Sequence, residues 1–323
     1  MKDQLTVTLY RNLRVAVVVP CHNEELTVKT VIDGFRQALP EATIYIFDNL
    51  STDKTALVAL EASARLFRVN LKGKGNVVRR MFADVDADIY VMVDGDATYH
   101  APSVRQMIDT LVDNGLDMVV GSRVESGVDQ GQAYRPGHRL GNRLLTGSVQ
   151  MIFGGAFTDM LSGYRVFSRR YAKSFPAQSR GFETETELTV HALELRMPCA
   201  EVETPYGSRP EGSTSKLSTY RDGWRILMTI AQLVISEKPL QFFGLIGACL
   251  MLGAVAIAAP IVWEFQHTGL VRRFPTLSLV TAMVVSGAVS CVCGLILQTV
   301  TQMRRELKRF AYLAVSGVTS AAR

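Results

Sequence analysis

The residues best suited to chemistry are two aspartates, Asp94 and Asp96, which flank Gly95 directly after an apolar run. The run, Ile89 to Val93, is short and lacks polar alternation, so it predicts a strand buried in a parallel sheet. Ligands of open α/β sheets bind outside the carboxyl ends of the strands. Two carboxylates there repel each other unless a cation separates them, and Mg²⁺ or Mn²⁺ would do so while leaving positions for substrate phosphates. The alternative is a strand-end turn in which both aspartates cap the next helix.

The elements that would position these aspartates alternate between strand and helix. Apolar runs predict strands at 15–19, 43–47, 67–70, 89–93 and 118–120, with helical patterns at 25–39, 54–66, 77–83 and 103–114. Further along, the pattern is less regular and predicts strands at 166–167 and 199–204 and a helix at 183–195. Because each early strand ends in polar residues before a helix, the order predicts a doubly wound parallel α/β sheet.

The bulk composition argues against several kinds of protein. The 323 residues carry a formal net charge of +5 whose positive side chains are dispersed, which does not suggest a nucleic-acid-binding protein. The five cysteines lack the spacing of a zinc site, and three lie in very apolar segments, which argues against a disulfide framework. The charged N-terminus has no long apolar core, so it is not a secretory signal.

Two long segments in the last third of the chain carry no charge, Leu240 to Trp263 and Pro275 to Met303. At ~1.5 Å per residue each can cross a hydrocarbon core of ~30 Å, and the short link between them predicts a helical hairpin. Buried helices of a soluble core are the alternative. Ser286, Ser290 and Gly294 repeat every four residues, which suits close helix packing and offers a face for a homo-oligomer.

Positive residues flank this hairpin unequally. The outer flanks carry Arg221, Arg225, Lys238, Arg304, Arg305, Lys308 and Arg309, whereas the link carries only Arg272 and Arg273. Since positive charge favours the cytoplasmic side, the large N-terminal domain and the C-terminal tail are expected in the cytoplasm, at a bacterial inner membrane. The predicted divisions are a soluble domain (1–216), an amphipathic helix on the bilayer surface (217–239), the hairpin (240–303) and a basic tail (304–323).

Seven short motifs follow one another through the soluble domain. They are Pro20-x-x-Asn23-Glu24, Asp48 before Ser51-Thr52-Asp53, Gly73-Lys74-Gly75, Asp94-x-Asp96, Gly121-Ser122-Arg123, Asp159-x-x-Ser162-Gly163-Tyr164-Arg165 and the segment Arg209 to Lys216. On these residues the chain resembles family 2 glycosyltransferases, within the polyprenyl-phosphate group that contains dolichol-phosphate mannose synthase. The resemblance covers roughly residues 15 to 216. It implies a GT-A fold, which is a Rossmann-like mixed and mostly parallel sheet, here followed by two transmembrane helices.

The resemblance also implies a nucleotide-sugar donor and a divalent metal. The donor-binding candidates are Pro20, Asn23, Glu24, Asp48, Lys74 and Asp94, and the metal ligands are Asp96 and Asp94, for Mg²⁺ or Mn²⁺. Helix capping by Asn23 and Glu24, an Asx-turn at Asp48 and a simple basic turn at Lys74 are the alternatives. Two positions depart from the family. Tyr164 replaces a more usual Phe, and Thr98-Tyr99 stands where dolichol-type members carry a metal-binding glutamine.

A lipid monophosphate acceptor would place its own demand on the site. Its second pKa is about 6, so it is mostly dianionic at neutral pH and needs positive charge more than a strong base. The candidate acceptor-binding residues are Arg123, Arg139, Arg209, Ser213, Ser215 and Lys216. In the family Asp159 completes the catalytic set with Asp94 and Asp96, either as a base or by fixing Arg165 or another arginine. Glu183 and Glu185 are interpreted as charges at a helix N-terminus, outside the site.

The function that the resemblance implies is inverting, metal-dependent transfer of one sugar from a UDP- or GDP-sugar to a polyprenyl phosphate. One alternative is a processive polysaccharide synthase, but the Gln-x-x-Arg-Trp motif and the additional spans of those relatives are missing from this sequence. Another is a non-catalytic membrane scaffold that binds a nucleotide sugar or a lipid. The sugar, the nucleotide and the polyprenol are not specified by these residues.

Overall fold

The computed structural model describes residues 9–125, 146–147, 149–151, 153–154, 157–177, 183–207, 228, 231–232 and 234–318. The chain divides into two compact units. The first comprises Met1–Ile226 together with Leu307–Arg323, and the second comprises Leu227–Glu306. The predicted surface helix at 217–239 falls largely outside the described residues.

The first unit is built on a seven-stranded sheet in the order β3-β2-β1-β4-β6-β5-β7. The strands are β1 (Val15–Cys21), β2 (Thr43–Asp48), β3 (Arg65–Arg68), β4 (Ile89–Met92), β5 (Met118–Glu125), β6 (Arg165–Ser168) and β7 (Cys199–Tyr206). All neighbouring pairs are parallel except those of β6, which runs antiparallel to both β4 and β5. The expected mixed, mostly parallel sheet is therefore confirmed, and β6 is the strand that departs from simple doubly wound order.

In the part of the first unit that the structure describes, six α-helices accompany this sheet. They are α1 (Val28–Ala38), α2 (Thr55–Glu61), α3 (Lys74–Asp84), α4 (Val104–Asp113), α5 (Arg169–Ser174) and α6 (Thr184–Glu194). The core forms between the sheet and helices such as α1 and α4, whose buried faces include Ile32, Phe35 and Leu111. This packing fixes the strand ends that carry the polar motifs.

The second helix is shorter than its apolar pattern predicts. It ends at Glu61 rather than near residue 66, because Ser63 has a positive φ of 56° and reverses the chain. Strand β3 therefore begins at Arg65, two residues earlier than expected. Phe67 then pairs with Phe47 of β2, and the two rings stack with centroids 5.0 Å apart. Pairing across the sheet overrides the local helical pattern here.

Two long apolar helices make up most of the second unit, α7 (Pro239–Thr268) and α8 (Phe274–Leu313), and the residues of α8 from Leu307 onward belong to the first unit. Both are long and apolar enough to cross a membrane, and most of their side chains are exposed. Gly247 and Gly287 allow close approach, since a Cβ added at Gly247 would lie 2.8 Å from the Gly287 carbonyl oxygen. The Ser290 hydroxyl donates to the Phe243 carbonyl at 2.8 Å. The predicted small-residue face thus contacts the other helix of the same hairpin.

The residues from Leu307 onward, within the segment predicted as a basic tail at 304–323, form part of the first unit. Lys308 lies 2.7 Å from the buried carboxylate of Glu194. The Tyr312 hydroxyl donates to Asp117 at 2.8 Å, and the Arg170 guanidinium stacks on the Tyr312 ring. Asp117 is fully buried and also pairs with Arg170, so this terminal segment helps to satisfy a buried charge.

Candidate active site

The two aspartates lie in the turn that follows β4. Asp96 is 4 % exposed, and its Oδ1 accepts hydrogen bonds from the Thr98 hydroxyl at 2.6 Å and the Thr98 amide at 3.3 Å. Ala97, which lies between Asp96 and Thr98, has a positive φ of 58° that turns the chain sharply. The next helical turn begins at Ala101 without a side-chain cap, so the aspartates do not cap it. Asp94 instead pairs with Lys74 of α3.

Lys74, the first residue of α3, bridges two carboxylates. Its Nζ lies 2.5 Å from Asp94 Oδ1 and 2.5 Å from Glu185 Oε1. Burial alone would lower the pKa of Lys74, but the charges of Asp94 and Glu185 outweigh it and raise that pKa above its ordinary value. The lysine is therefore a fixed positive charge beside Asp94.

Glu185 is a site residue that the sequence analysis missed. It was interpreted as a helix N-terminal charge, whereas the structure buries it to 5 % exposure and pairs it with Lys74. Its other oxygen, Oε2, is buried without a hydrogen-bond partner among the described residues. The sequence did contain an indication, because Glu183, Glu185 and Glu187 are two residues apart. Side chains with that spacing on a helix do not share one face, so the three glutamates cannot all lie on the exposed face.

Gly163 lies directly against the Asp94 carboxylate. A Cβ at this position would be 2.2 Å from Asp94 Oδ2 and 2.7 Å from Asp94 Cγ, so no side chain fits there. The Gly163 amide donates to the Tyr99 hydroxyl at 2.8 Å. The glycine of the Ser-Gly-Tyr-Arg motif is thus explained by the close approach of the backbone to the Asp94 carboxylate.

The segment between β1 and α1 packs against the same turn. The Thr27 hydroxyl bridges the Gly95 carbonyl at 2.7 Å and the Glu24 carboxylate at 3.2 Å. Asn23 adopts a positive φ of 55°, and its side-chain oxygen accepts the Thr52 amide at 2.8 Å. The helix that follows has Thr27 as its N-cap residue, without a side-chain bond, so Asn23 caps the 51–53 loop rather than α1.

Asp48 ends β2, in register with Cys21 at the end of β1. It is 6 % exposed, and its Oδ1 is buried without a hydrogen-bond partner among the described residues. The neighbouring Asn49 holds the next segment in place through the Gly73 amide at 2.7 Å. A buried carboxylate oxygen that accepts no hydrogen bond is unfavourable unless a donor reaches it, as a base or ribose group of a nucleotide would.

Asp159 forms a two-pronged ion pair with Arg123. The Arg123 Nε and Nη2 donate to the two Asp159 oxygens at 2.7 and 2.8 Å, and the Arg123 amide donates at 3.2 Å. Burial would raise the pKa of Asp159, but the hydrogen bonds and charge of Arg123 hold it below its ordinary value. Of the two roles considered for Asp159, this geometry favours fixing an arginine, and the arginine is Arg123.

Three tyrosines connect the Arg123 pair to the aspartate turn. The Arg123 guanidinium lies 5.5 Å from the centre of the Tyr206 ring, and Tyr206 packs edge-on against Tyr99 at 5.2 Å. Tyr99 also contacts Tyr164 at 5.5 Å. Through Tyr99 and its bond to Gly163, the acidic turn and the arginine pair belong to one continuous cluster.

Arg165 has a structural role beneath this cluster. It is fully buried, and burial lowers its pKa below the ordinary value for arginine. Its guanidinium donates to the Ser162 carbonyl at 2.9 Å, to the Thr189 hydroxyl at 2.9 Å and to the Met160 carbonyl. These bonds fix the segment that carries Asp159 and Gly163.

The structure thus brings together Asp94, Asp96, Lys74, Arg123 and Asp159, with the end of β1 alongside. Five predicted acceptor-binding residues lie outside the described residues, namely Arg139, Arg209, Ser213, Ser215 and Lys216. Their roles stay predictions.

The acidic turn fits a hard divalent cation. Asp94 and Asp96 supply carboxylate oxygens, and the described part of the chain contains no group of three or more acidic, histidine or cysteine side chains that could form a complete cage. A site with two carboxylates leaves the remaining positions to water and phosphate oxygens, which is the coordination that Mg²⁺ and Mn²⁺ accept beside a nucleotide.

Comparison with known proteins identifies the family of this chain. Residues 16–175 match the model of glycosyl transferase family 2. The chain is 32% identical over 257 residues to glycosyltransferase AglJ of Haloferax volcanii, covering 78% of this chain and 82% of AglJ. It is 22% identical over 278 residues to dolichol-phosphate mannosyltransferase of Pyrococcus furiosus, covering 83% and 77% of the two chains.

A solved structure shares the fold. Glucosyl-3-phosphoglycerate synthase from Mycobacterium tuberculosis, in complex with Mn²⁺, UDP-glucose and phosphoglyceric acid, aligns with a TM-score of 0.55 and 24% identity. The alignment covers 68% of this chain and 80% of that one. With the sheet order, the acidic turn after β4 and these similarities together, this chain belongs to glycosyltransferase family 2 and is a glycosyltransferase.

Proposed function

We propose that the protein transfers one sugar from a UDP- or GDP-sugar to a polyprenyl phosphate, with inversion at the anomeric carbon and dependence on Mg²⁺ or Mn²⁺. The observation that carries this proposal is the continuous cluster from Asp94 through Tyr99 to the Arg123–Asp159 pair, in a chain with two apolar helices. The names of two similar proteins supply further support, since one is a dolichol-phosphate mannosyltransferase and another a polyprenol monophosphomannose synthase.

On the donor side, Asp96 and Asp94 would hold the metal against the diphosphate. The metal, when bound, offsets the charge that develops on the departing nucleoside diphosphate. Lys74 lies beside Asp94 and would add positive charge at the same place. The base and ribose would be bound by the segment Pro20 to Glu24 and by Asp48 Oδ1, which has no hydrogen-bond partner among the described residues.

On the acceptor side, Arg123 would bind the lipid phosphate. A guanidinium suits a phosphate because it presents several donors in a plane, and the dianion is already a nucleophile. Asp159 then acts as a positioning residue that orients Arg123, because its lowered pKa keeps it ionised and paired. Attack of the phosphate oxygen on the anomeric carbon and departure of the diphosphate in one displacement would invert the configuration.

The membrane arrangement follows from the path of the chain. It leaves the first unit before Leu227 and rejoins it at Leu307. If both long helices span the bilayer, two crossings return the chain to the side of the catalytic unit. The positive residues outside the link favour the cytoplasmic side, and we infer a bacterial inner membrane. A polyprenyl phosphate would then be presented at the membrane surface next to the enzyme.

The test uses the purified full-length protein in detergent, a panel of UDP- and GDP-sugars, and undecaprenyl phosphate. Mass spectrometry should detect one glycolipid carrying a single sugar, and its formation should stop when EDTA removes divalent metal. Asp96→Ala should abolish turnover without unfolding the protein. A chain of several sugars would favour the polysaccharide synthase, and binding of a labelled donor without product would favour the scaffold.

A further inference from the structure

The ammonium of Lys74 is shared between two carboxylates, and only one of them belongs to the proposed metal site. Lys74 Nζ is 2.5 Å from Asp94 and 2.5 Å from Glu185. The three side chains are largely shielded, with exposures of 14%, 29% and 6% for Lys74, Asp94 and Glu185. Together they carry a net charge of −1, so the lysine does not neutralise the group.

The charge balance bears directly on cation binding. If Lys74 were paired with Asp94 alone, its positive charge would cancel the negative charge of Asp94 and would oppose the binding of a divalent cation. The charge of Glu185 compensates the lysine, so that Asp94 and Asp96 together keep the attraction that a divalent ion requires. Because the pairs are shielded from water, such interactions are stronger than they would be at an exposed surface.

A purely structural ion pair explains this arrangement less well. Glu185 comes from the first turn of α6 and Lys74 from the first turn of α3, so the pair does link two helices. However, Glu185 Oε2 is buried without a hydrogen-bond partner among the described residues. A buried carboxylate with an unsatisfied oxygen is costly, which is unexpected for a residue that serves stability alone.

We propose that Glu185 is a positioning residue of the transfer reaction. It holds the Lys74 ammonium partly away from Asp94, which keeps Asp94 able to bind the divalent cation and keeps Lys74 in reach of the donor diphosphate. This inference rests on the proposed metal-dependent function. It assigns Glu185 a role that acts through Lys74, not through contact with the reacting atoms.

The test measures Mn²⁺ binding directly, by the electron paramagnetic resonance signal of free Mn²⁺. The full-length protein in detergent is titrated without acceptor, alone and with UDP or GDP. Glu185→Gln retains an oxygen that accepts the Lys74 hydrogen bond but removes the charge, and it should weaken Mn²⁺ binding by on the order of 10-fold. Glu183→Gln is the matched control, since it removes the same charge two residues away, and its binding should stay within about 2-fold of wild type.

A double-mutant cycle separates action through Lys74 from a general effect of charge. In the titration without nucleotide, Lys74→Met should tighten Mn²⁺ binding because it removes a nearby positive charge. In the Lys74→Met background, Glu185→Gln should change binding by less than about 3-fold, since the residue through which it acts is gone. Glu185→Asp, which keeps the charge, should restore most of the affinity and serves if the glutamine variant does not fold.

The inference is overturned by wild-type Mn²⁺ affinity in Glu185→Gln, or by an equal loss with and without Lys74. Wild-type protein that takes up no Mn²⁺ with either nucleotide would overturn it as well. Because the titration contains no lipid, failure of the polyprenyl phosphate assignment leaves these readouts unchanged, which keeps the two proposals separable.

Discussion

Replacing Gly163 by alanine tests whether the position of Asp94 controls the reaction. A Cβ there would lie 2.2 Å from Asp94 Oδ2, about 1.2 Å short of the 3.4 Å at which ordinary contact begins. The glycine backbone cannot easily retreat, because its amide donates to Tyr99 and the flanking Ser162 hydroxyl donates to the Gly121 carbonyl at 2.6 Å. Asp94 must therefore move by roughly 1 Å.

A displacement of ~1 Å in a positioned group costs about 100-fold in rate, so we expect kcat/KM of Gly163→Ala to fall by roughly that factor. Overpacking should also reduce stability by about 1–3 kcal/mol, which leaves the protein folded. Gly147→Ala is the matched control, because a Cβ at Gly147 meets none of the described atoms within 4 Å. Its rate should stay at wild type, and its unfolding temperature should stay or rise, since Gly147 is helical and alanine favours a helix over glycine.

The assay is glycolipid formation from labelled donor, with thermal unfolding of each variant measured in the same detergent. A folded Gly163→Ala enzyme that keeps kcat/KM within about 3-fold of wild type would refute the reasoning. An equal loss in Gly147→Ala would refute it too, since that result would assign the effect to alanine itself.

Other substitutions test separate parts of the structure. Asp96→Ala should lose Mn²⁺-stimulated transfer, and retention of that stimulation would contradict its role as a ligand. The pKa of Asp159 in the folded state lies below its ordinary 3.8. The stability that its ionised form contributes is therefore complete above pH 3.8 and is lost as the pH falls through the lower, folded-state pKa. Asp159→Asn should remove this loss, so that the free energy of unfolding depends less on pH below about pH 4. Tyr164→Phe should raise stability by about 1 kcal/mol in thermal unfolding, because the Tyr164 hydroxyl is buried without a hydrogen-bond partner among the described residues. Tyr312→Phe removes a 2.8 Å bond to buried Asp117 and should cost about 2 kcal/mol, which unchanged unfolding would contradict.

The positions of Asp94 and Asp48 at strand ends were predicted well from the sequence. Asp94 and Asp48 follow apolar runs, and the carboxyl ends of parallel strands meet at one edge, so local pattern was enough to group them. The same reasoning placed the strands of the sheet, apart from the shift of β3 that Ser63 produces and the antiparallel direction of β6, which the alternating pattern did not predict.

Pairings between distant residues were less predictable. Glu185 looks like any acidic residue at a helix N-terminus, and only the approach of α3 and α6 shows its contact with Lys74. Similarly, two roles for Asp159 were open because its arginine partner lies 36 residues away in the sequence, and the choice of Arg123 depends on how β5 packs against that loop. Such contacts arise from tertiary packing, which no local pattern reports.

The residues from Leu307 onward, which include the last turns of α8, have a consequence for biosynthesis. Val318 is buried in the core of the first unit, and Lys308 and Tyr312 satisfy the buried charges of Glu194 and Asp117. A ribosome makes these residues after α7 and after most of α8. The first unit therefore reaches its packed form only when both apolar helices have been synthesised, and a nascent chain that stops within them lacks these contacts.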